Sequence, residues 1–431
     1  MDQQELERRR RIARRRKIQR IRKIKEMRRR RRIRRLCILF GSLLMFLILI
    51  ISIGCLIFST IKKHNEKKAQ EALAKQQQEQ QELIEEQERQ RIANTVRITA
   101  VGDNLIHEKI YKSGINDDGS YTYDHLYKNI KKEIQSSDIS IVNQESIFVE
   151  DHDDVSAYPA FGSPTEIGDA LVHTGFDVIQ HASNHTFDKG TSAIKDTLYY
   201  WKNNYPDIKV LGIHETSKSA DTISTITSKG ITFALLNYTD ISNKDTDNCP
   251  SYLIDQLSYD RLEEDIKKAE KVGDMTIALL HIGTEYSEEP SEDQLDYLDY
   301  LLSAGVDITI CAHPHVLQPY EMMTDDEGNE MLVYYSLGNF ISTQKEPDCL
   351  LGGMADISVY RDPITGKTSI TDYGMIPLVT HYNYDKDEYT VYKLDDYTEN
   401  LAKEHSVHEE TDDTFSLKWL QKKYKFIMSE D

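Results

Sequence analysis

The amino-acid sequence predicts an α/β domain with a largely parallel or mixed sheet, preceded by one membrane-spanning helix and a polar helical stalk. One long uncharged run lies near the amino terminus, and a Gln- and Glu-rich stretch without Gly or Pro follows it. From Val96 onward, short runs rich in Val, Ile and Leu alternate with amphipathic helical patterns. This alternation is expected of a sheet that helices cover on both faces.

Charge is divided unevenly along the 431 residues. Residues 1–36 carry 19 Lys and Arg against 4 Asp and Glu, a net charge of +15, whereas the remainder carries −34. The overall composition, 39% hydrophobic and 29% charged, excludes a polytopic membrane protein and a wholly disordered chain. The split predicts a basic cytoplasmic segment, 1–35, and an acidic bulk on the other side of a membrane.

The uncharged run extends from Leu36 to Ile61. Because about 20 apolar residues in a helix cross a bilayer core, we assign a transmembrane helix to 36–60. The run exceeds the apolar core of a signal peptide and ends in Lys62-Lys63, which predicts a retained anchor in the cell membrane. The protein is then single-pass, with its amino terminus cytoplasmic and its main domain extracytoplasmic. The Arg-rich segment nearly lacks aromatic residues, so anionic lipid is its expected partner, and nucleic acid is not.

Residues 62–94 combine Lys, Glu and Gln with scattered Ala and Leu, including eight Gln between Gln70 and Gln90. Helix formers dominate, yet the apolar positions are too few for a packed core. The pattern predicts a polar helical stalk about 45 Å long. Leu73, Leu83 and Ile84 leave weak homodimerisation through a coiled coil open.

A folded domain is predicted for 95–395, and an acidic tail, 396–431, is expected to include the helix Ser416–Met428. Strand patterns lie at Val96–Val101, Ile139–Asn143, Val178–His181, Lys209–Gly212, Ile231–Asn237, Thr276–His281, Ile308–Cys311 and Leu332–Ser336. Helices are expected near 124–136, 165–174, 190–204, 258–272 and 292–304, and antiparallel edge strands around 354–360, 367–373 and 389–393.

Polar side chains recur where the predicted strands end, which is where open α/β sheets gather functional groups. Five ends carry carboxylate, carboxamide or imidazole groups: Gly102-Asp103 with His107, Asn143-Gln144-Glu145, Asn184-His185 with Asp188, His281 with Glu285-Tyr286, and His313-Pro314-His315. One such residue alone is more often structural, but the recurrence predicts a mixed oxygen and nitrogen site for one or two divalent metals. Because no Cys is among these candidate ligands, an open, water-bearing site is expected rather than a closed structural zinc site.

Six motifs follow one another in a fixed order: Gly-Asp, Asn-x-Glu, Ser-Asn-His-x-x-Asp, His-x-Gly-x-Glu-Tyr, His-Pro-His and Tyr-Ser-Leu-Gly-Asn-Phe. In this order they resemble the CapA family of capsule or poly-γ-glutamate synthesis proteins, which is similar to calcineurin-like metallophosphoesterases. The resemblance covers roughly 96–345. It implies a four-layer αββα sandwich, preceded here by the transmembrane helix and the stalk, with a two-metal site at one end.

The resemblance also implies a role for each matching residue. Asp103 and His315 would bind the first metal, Glu145 would bridge both, and Asn184, His281 and His313 would bind the second. His185 would stabilise charge or protonate the leaving group, with Asp188 orienting it, and Tyr286 and Glu285 would contact substrate. Two features depart from the metallophosphoesterase pattern: the bridging ligand is Glu instead of Asp, and no His lies two residues after Asp103. We assign the missing ligand to His107.

The implied activity is hydrolysis of a phosphoester by water that manganese, iron or zinc activates, in capsule, poly-γ-glutamate or cell-envelope polymer biosynthesis. The chain has no nucleophile-elbow motif and no P-loop, which fits direct attack by water. The substrate would be an anionic polymer or a phosphoester, although the charge of −34 disfavours broad binding of a polyanion. Two alternatives remain open: a non-catalytic assembly or export partner of a membrane polymer synthase, and an envelope protein with a structural metal.

Overall fold

A computed structural model of the chain describes residues 2–246, 249–411 and 415–429. Parts of two predicted segments, 1–35 and 396–431, therefore lie outside the described residues: residue 1, residues 412–414 and residues 430–431. The chain divides into two compact units, residues 1–88 and residues 89–431.

One helix, α1 (Gln3–Ala93), runs through the basic, apolar and Gln-rich stretches without a break. No described residue of α1 is buried. The helix includes the uncharged run Leu36–Ile61, and by length and composition it is long and apolar enough to cross a membrane. The predicted boundaries at 35, 60 and 94 follow changes of composition and stay predictions.

The remaining described residues form short helices and sixteen strands. The helices are α2 (Glu108–Ser113), α3 (Lys131–Ile134), α4 (Glu166–Thr174), α5 (Gly190–Asn204), α6 (Ser217–Ala220), α7 (Tyr259–Val272), α8 (Glu292–Ser303), α9 (Glu399–Glu404) and α10 (Leu417–Ile427). The strands are β1 (Thr95–Asn104), β2 (Ile139–Asn143), β3 (Phe148–Val149), β4 (Ser163–Pro164), β5 (Val178–Gln180), β6 (Lys209–Leu211), β7 (Ser224–Ser228), β8 (Ile231–Thr239), β9 (Met275–His281), β10 (Ile308–Ala312), β11 (Tyr320–Thr324), β12 (Glu330–Tyr334), β13 (Asn339–Ile341), β14 (Leu351–Arg361), β15 (Thr368–Asn383) and β16 (Glu388–Lys393).

Two mixed sheets contain fourteen of these strands. The larger has the order β16-β15-β14-β1-β2-β5-β6, with β13 beside the end of β1, and the smaller has the order β11-β12-β10-β9-β8-β7. Strands β1, β2, β5 and β6 are parallel, as are β8, β9, β10 and β12, whereas β7, β11 and β14–β16 are antiparallel to their neighbours. Each sheet therefore contains four neighbouring parallel strands, and the carboxyl ends of these strands lie at one end of the sheet.

The two sheets pack face to face. Along β8 of the smaller sheet, successive side chains point alternately toward the larger sheet and toward the covering helices. Phe233 and Leu235 of β8 belong to the core shared with the larger sheet, whereas Ala234 and Leu236 pack with Leu262 of α7 and residues of α8 on the opposite face. Such alternation follows from the two-residue period of a strand. On the larger sheet, α3, α4 and α5 contribute Ile134, Leu171 and Trp201 to the core. These four layers confirm the predicted αββα sandwich.

Several parts of the fold differ from the sequence prediction. Residues 124–136 form a 3₁₀ turn, Asp124–Tyr127, and the short helix α3, not one continuous helix. Strands β7 and β11 were not predicted, because they are partly exposed edge strands with polar and mixed side chains. Strands β3, β4 and β13 were not predicted either, because two or three residues give only a weak strand pattern. Helix α10, by contrast, lies within one residue at each end of the predicted Ser416–Met428.

The end of β1 crosses the loop before β13 at very short range. A Cβ atom on Gly102 would lie 1.9 Å from the carbonyl oxygen of Gly338, the same oxygen that accepts a hydrogen bond from Asp103 N at 3.0 Å. Gly338 has a φ of +60°, which favours glycine. The position of the Asp103 backbone thus depends on a crossing that admits no side chain at Gly102.

We expect Gly102→Ala to lower the free energy of unfolding by about 3 kcal/mol, since the new methyl group would collide with backbone atoms. Thermal and denaturant unfolding of the full-length protein in detergent measure the change. Gly374→Ala in β15 is the matched control, because a Cβ atom there would meet nothing within 4 Å. Equal stability of the two variants would contradict the prediction.

Candidate metal centre

The parallel strands of both sheets deliver the predicted site residues to one place. Asp103 lies at the end of β1, Glu145 follows β2 by two residues, and His281 is the last residue of β9. Loops after β5 and β10 carry the remaining side chains: Asn184, His185, Asp188, His313 and His315. The carboxyl ends of the two sheets therefore meet at a common centre.

Ligand-type atoms at this centre form two overlapping groups. Asp103, Glu145 and His315 offer atoms that all lie within 4.8 Å of one another, and so do Glu145, His281 and His313. All five side chains are buried, and Glu145 belongs to both groups. The arrangement places Glu145 between two candidate cation positions, which is the place that the family resemblance implies for it.

The Glu145 carboxylate is surrounded by imidazoles without being hydrogen-bonded. Its Oε1 lies 3.8 Å from His281 Nε2, 3.8 Å from His315 Nε2 and 4.0 Å from His185 Nε2. Neither of its oxygens has a hydrogen-bond partner among the described residues, and burial raises the pKa of Glu145 well above its usual range. A buried carboxylate without a partner is costly, and a cation would offset that cost.

The donor set therefore fits divalent metal ions. Carboxylate and amide oxygens suit manganese and magnesium, whereas imidazole suits zinc and iron. Asn184 adds an amide oxygen to the second group, since its Oδ1 lies 3.0 Å from His281 Nε2, which in turn lies 3.1 Å from His313 Nδ1. These residues stand together as the resemblance implies, and their individual ligand roles stay predictions.

The imidazoles divide into two kinds by their surroundings. Burial and the neighbouring His315 lower the pKa of His313 to about 4, and burial and His313 lower that of His281. Burial also lowers the pKa of His315, but the carboxylates of Glu145 and Asp103 outweigh it and raise the pKa to about 9. His315 Nδ1 lies 3.0 Å from Asp103 Oδ2. Without a cation, a proton on His315 thus balances the two carboxylates.

His185 and Asp188 form a buried pair beside the ligand groups. The Nδ1 atom of His185 lies 2.7 Å from Asp188 Oδ2, which also accepts a hydrogen bond from Phe161 N at 2.7 Å. The Phe161 ring packs edge-on against the imidazole at a centroid distance of 4.6 Å. Because the carboxylate holds the proton of Nδ1, Nε2 is the nitrogen that faces the Glu145 carboxylate.

Three residues at the centre adopt left-handed backbone conformations. Tyr286, His313 and His315 have φ angles of +65°, +103° and +63°. A non-glycine residue in this region is strained, and such strain concentrates at functional sites. Tyr286 N donates a hydrogen bond to Pro314 O at 2.8 Å, so the loops after β9 and β10 restrain each other.

The other predicted residues lie at the margin of the centre. His107 belongs to neither ligand group; its Nδ1 accepts a hydrogen bond from Thr343 N at 3.2 Å, and burial and His315 lower its pKa to about 4. Its assignment as a metal ligand stays a prediction. Glu285 and Tyr286 are exposed at the rim, and the Tyr286 side chain is within 3.4 Å of Gln344 Nε2.

Three more residues contact the centre: Asn143, which the sequence analysis named at a strand end without a role of its own, and Asn243 and Lys244, which it did not name. Asn143 Nδ2 lies 2.7 Å from Asp103 Oδ1 and 3.2 Å from His281 Nδ1, so this amide connects the two sheets. Asn243 Nδ2 lies 3.2 Å from the His185 ring, and Lys244 Nζ donates to the carbonyl oxygen of Asp188. A role for Asn143 could have been found from its place in the Asn-x-Glu motif, whereas the loop after β8 carries no pattern that predicts contact with His185.

Comparison with known proteins places this centre inside a matched region. The sequence model of the bacterial capsule synthesis protein family, PGA_cap, matches residues 97–344. The chain is 30% identical over 232 residues to the PGA biosynthesis protein CapA of Bacillus subtilis, covering 53% of this chain and 52% of that protein. It is 28% identical over 261 residues to the capsule biosynthesis protein CapA of Bacillus anthracis, covering 57% and 60%. The chain thus spans about half the length of the curated relatives it matches.

Among solved structures, the chain is similar to a calcineurin-like phosphoesterase of Bacillus subtilis. The TM-score is 0.38 at 14% identity, over 76% of this chain and 99% of that one.

We expect metal binding to release protons, because a cation replaces the proton that His315 holds between Glu145 and Asp103. At neutral pH, below the pKa of about 9, His315 is protonated in the metal-free protein, so Mn²⁺ affinity should rise as the pH is raised toward about 9. Calorimetric titration of the full-length protein in buffers of different ionisation enthalpy measures the release, at about one to two protons per protein, since burial also raises the pKa of the Glu145 carboxyl.

His315→Gln should reduce this proton release, whereas His173→Gln, on an exposed side chain paired with Asp124, should leave it unchanged. Mn²⁺ binding that neither releases protons nor strengthens with pH would contradict the prediction.

Proposed function

The chain belongs to the bacterial capsule synthesis protein family, and on this premise we propose that it is a metal-dependent hydrolase of the phosphoester type. The proposed hydrolase is anchored in the membrane and acts outside the cytoplasm, in capsule, poly-γ-glutamate or other cell-envelope polymer biosynthesis. One observation carries the proposal: the buried Glu145 carboxylate is shared by two ligand groups and has no hydrogen-bond partner among the described residues.

Two divalent cations, of manganese, iron or zinc, are the proposed cofactors. Asp103 and His315 would hold one, His281, His313 and Asn184 would hold the other, and Glu145 would contact both. When bound, such a pair lowers the pKa of water and neutralises charge on a phosphoryl group. The carboxylates and imidazoles come from both sheets, so the packing of the sheets sets the spacing of the two positions.

The proposed acid is His185. In its doubly protonated form, His185 would donate its Nδ1–H to Asp188, which stabilises the imidazolium, and would give the Nε2 proton to the leaving oxygen of the substrate, becoming the neutral imidazole. Phe161 packs against one edge of the ring and thereby limits the access of water to it. The proposed substrate is a phosphoester or an anionic polymer, which Tyr286 and Glu285 at the rim would contact.

The membrane location rests on α1. The apolar stretch of α1 is long enough to span a membrane, and the 19 Lys and Arg before residue 37 favour a cytoplasmic amino terminus. The acidic unit that carries the metal centre would then be extracytoplasmic. Protease treatment of intact cells tests this orientation, because a carboxy-terminal region that survives until lysis would contradict it.

We expect the full-length protein, loaded with Mn²⁺ in detergent, to hydrolyse bis(p-nitrophenyl) phosphate or p-nitrophenyl phosphate. His313→Ala and Asn184→Ala should each lower kcat/KM at least about 100-fold, since each removes a ligand atom. His173→Ala, on the exposed surface, is the control and should leave the rate unchanged. The proposal fails if the wild-type protein cleaves neither ester and the ligand variants bind metal as it does.

Asp188→Asn should lower kcat by about 10²- to 10⁴-fold while metal content stays the same, because the amide no longer fixes the His185 proton on Nδ1. Steady-state kinetics and elemental analysis of the same preparation give the two quantities. A loss of metal in this variant would assign Asp188 to the support of ligands instead of acid catalysis.

The names of the two relatives mention biosynthesis and do not mention hydrolysis, which favours a second candidate function. The chain could serve as an assembly or export partner of a membrane polymer synthase, with a metal centre that does not turn over. Complementation of a deletion strain separates the two: if His313→Ala restores the surface polymer as fully as the wild-type gene does, this second function is favoured.

A further inference from the structure

The carboxy-terminal segment, of which residues 396–411 and 415–429 are described, packs on the rest of its compact unit although it lies beyond the family match, which ends at residue 344. In α10, Leu420 is fully buried, and the hydroxyl of Tyr424 donates to Met375 O in β15 at 2.7 Å. Phe415, just before α10, is also buried and stacks near His405. Apolar contacts and a backbone hydrogen bond thus hold α10 in place.

One side chain of α10 reaches two loops at the rim of the metal centre. Lys423 Nζ lies 2.5 Å from Glu288 Oε1 and 2.8 Å from Asp348 Oδ1, and the Lys423 side chain is only 17% exposed. Glu288 follows Tyr286 by two residues, and Asp348 lies in the 3₁₀ helix Pro347–Leu350. A second ion pair joins the tail to the same rim, since Lys345 Nζ lies 2.7 Å from Glu410 Oε2.

The two loops meet at Tyr286. Gln344 Nε2 lies 3.4 Å from the Tyr286 hydroxyl, and Gln318 Nε2 donates to Ser287 O at 2.9 Å. Tyr286 is half exposed, and its backbone is in the left-handed conformation. This conformation is strained, so contacts with other residues must stabilise it. The Lys423 ion pairs join both loops to α10, two residues beyond Tyr286 in one loop and four residues beyond Gln344 in the other.

We propose that the carboxy-terminal segment clamps the rim of the metal centre, and that Lys423 is the residue that positions Tyr286 for substrate. The restraint of the two loops by Lys423 does not depend on any activity of the protein, whereas its effect on substrate rests on the proposed function. Because Leu420 and Tyr424 hold α10 independently, loss of the Lys423 charge frees the rim loops without detaching the helix.

Lys423→Met tests the clamp, with Lys422→Met, the exposed neighbour on the same helix, as the matched control. Hydrogen exchange of the full-length protein in detergent follows the amides of Tyr286 and Ser287, which bond to Pro314 O and Thr284 O. We expect exchange in the peptide that contains them to become about tenfold faster in Lys423→Met. Lys423→Arg, which keeps the charge, should restore slow exchange, and Lys422→Met should not differ from wild type.

Glu288→Gln is a second variant, because it removes one ion pair and leaves α10 untouched. It should accelerate exchange in the same peptide. Unchanged exchange in both Lys423→Met and Glu288→Gln would overturn the clamp, whether or not the protein hydrolyses phosphoesters.

Kinetics test the effect on substrate. With Mn²⁺ and bis(p-nitrophenyl) phosphate, Lys423→Met should raise KM about tenfold with kcat and metal content nearly unchanged, and Lys423→Arg should restore KM. Faster exchange with an unchanged KM would overturn the positioning role. A wild-type protein without hydrolytic activity would instead contradict the proposed function, and the exchange result would still decide the clamp.

Discussion

Two buried carboxylates, Asp103 and Glu145, offer oxygens within 4.8 Å of each other among several imidazoles, and the centre is organised around this concentration of carboxylate groups. Neither Glu145 oxygen has a hydrogen-bond partner among the described residues. In the protein alone, a proton on His315 compensates part of the carboxylate charge. Burial and the nearby imidazoles lower the pKa values of His313 and His281. The proton at His315 is therefore a charge that bound cations would replace.

The two sheets create this geometry, since neither carries a complete ligand group. Asp103 and Glu145 follow strands of the larger sheet, whereas His281, His313 and His315 follow strands of the smaller one. Hydrogen bonds of asparagine side chains near the centre join the two sheets and hold them in a fixed relative position. Asn143 connects Asp103 with His281, and Asn237 of β8 accepts a hydrogen bond from Ala182 N at 3.0 Å and donates to Leu279 O at 3.0 Å. These amides contact the ligand-type residues or the strands that carry them. The packing of one sheet on the other therefore determines the distances between the ligand-type side chains.

The sequence predicted the central strands well because they are buried on both faces and therefore read as continuous apolar runs; Ile139–Asn143 was placed without error. Edge strands such as Ser224–Ser228 were missed, since half-exposed strands carry no such signal. The family resemblance implied the ligand-type residues and their division into two groups with Glu145 in common, and in the structure these side chains lie together in two overlapping groups. The contact of Asn243 with His185 and that of Lys423 with Glu288 could not be foreseen, because both join segments far apart in sequence through loops or ion pairs that have no periodic pattern.

The position of β1 in the larger sheet affects how the chain folds. This strand, the first of the folded unit, lies between β2 and β14, and Arg97 pairs with Asp356, which is 259 residues later in the sequence. The sheet therefore remains open, with an unpaired central edge, until most of the polypeptide has been synthesised. Contacts of such long sequence separation slow folding and leave apolar edges exposed meanwhile. A nascent chain of this protein would need shielding from aggregation until β14 emerges.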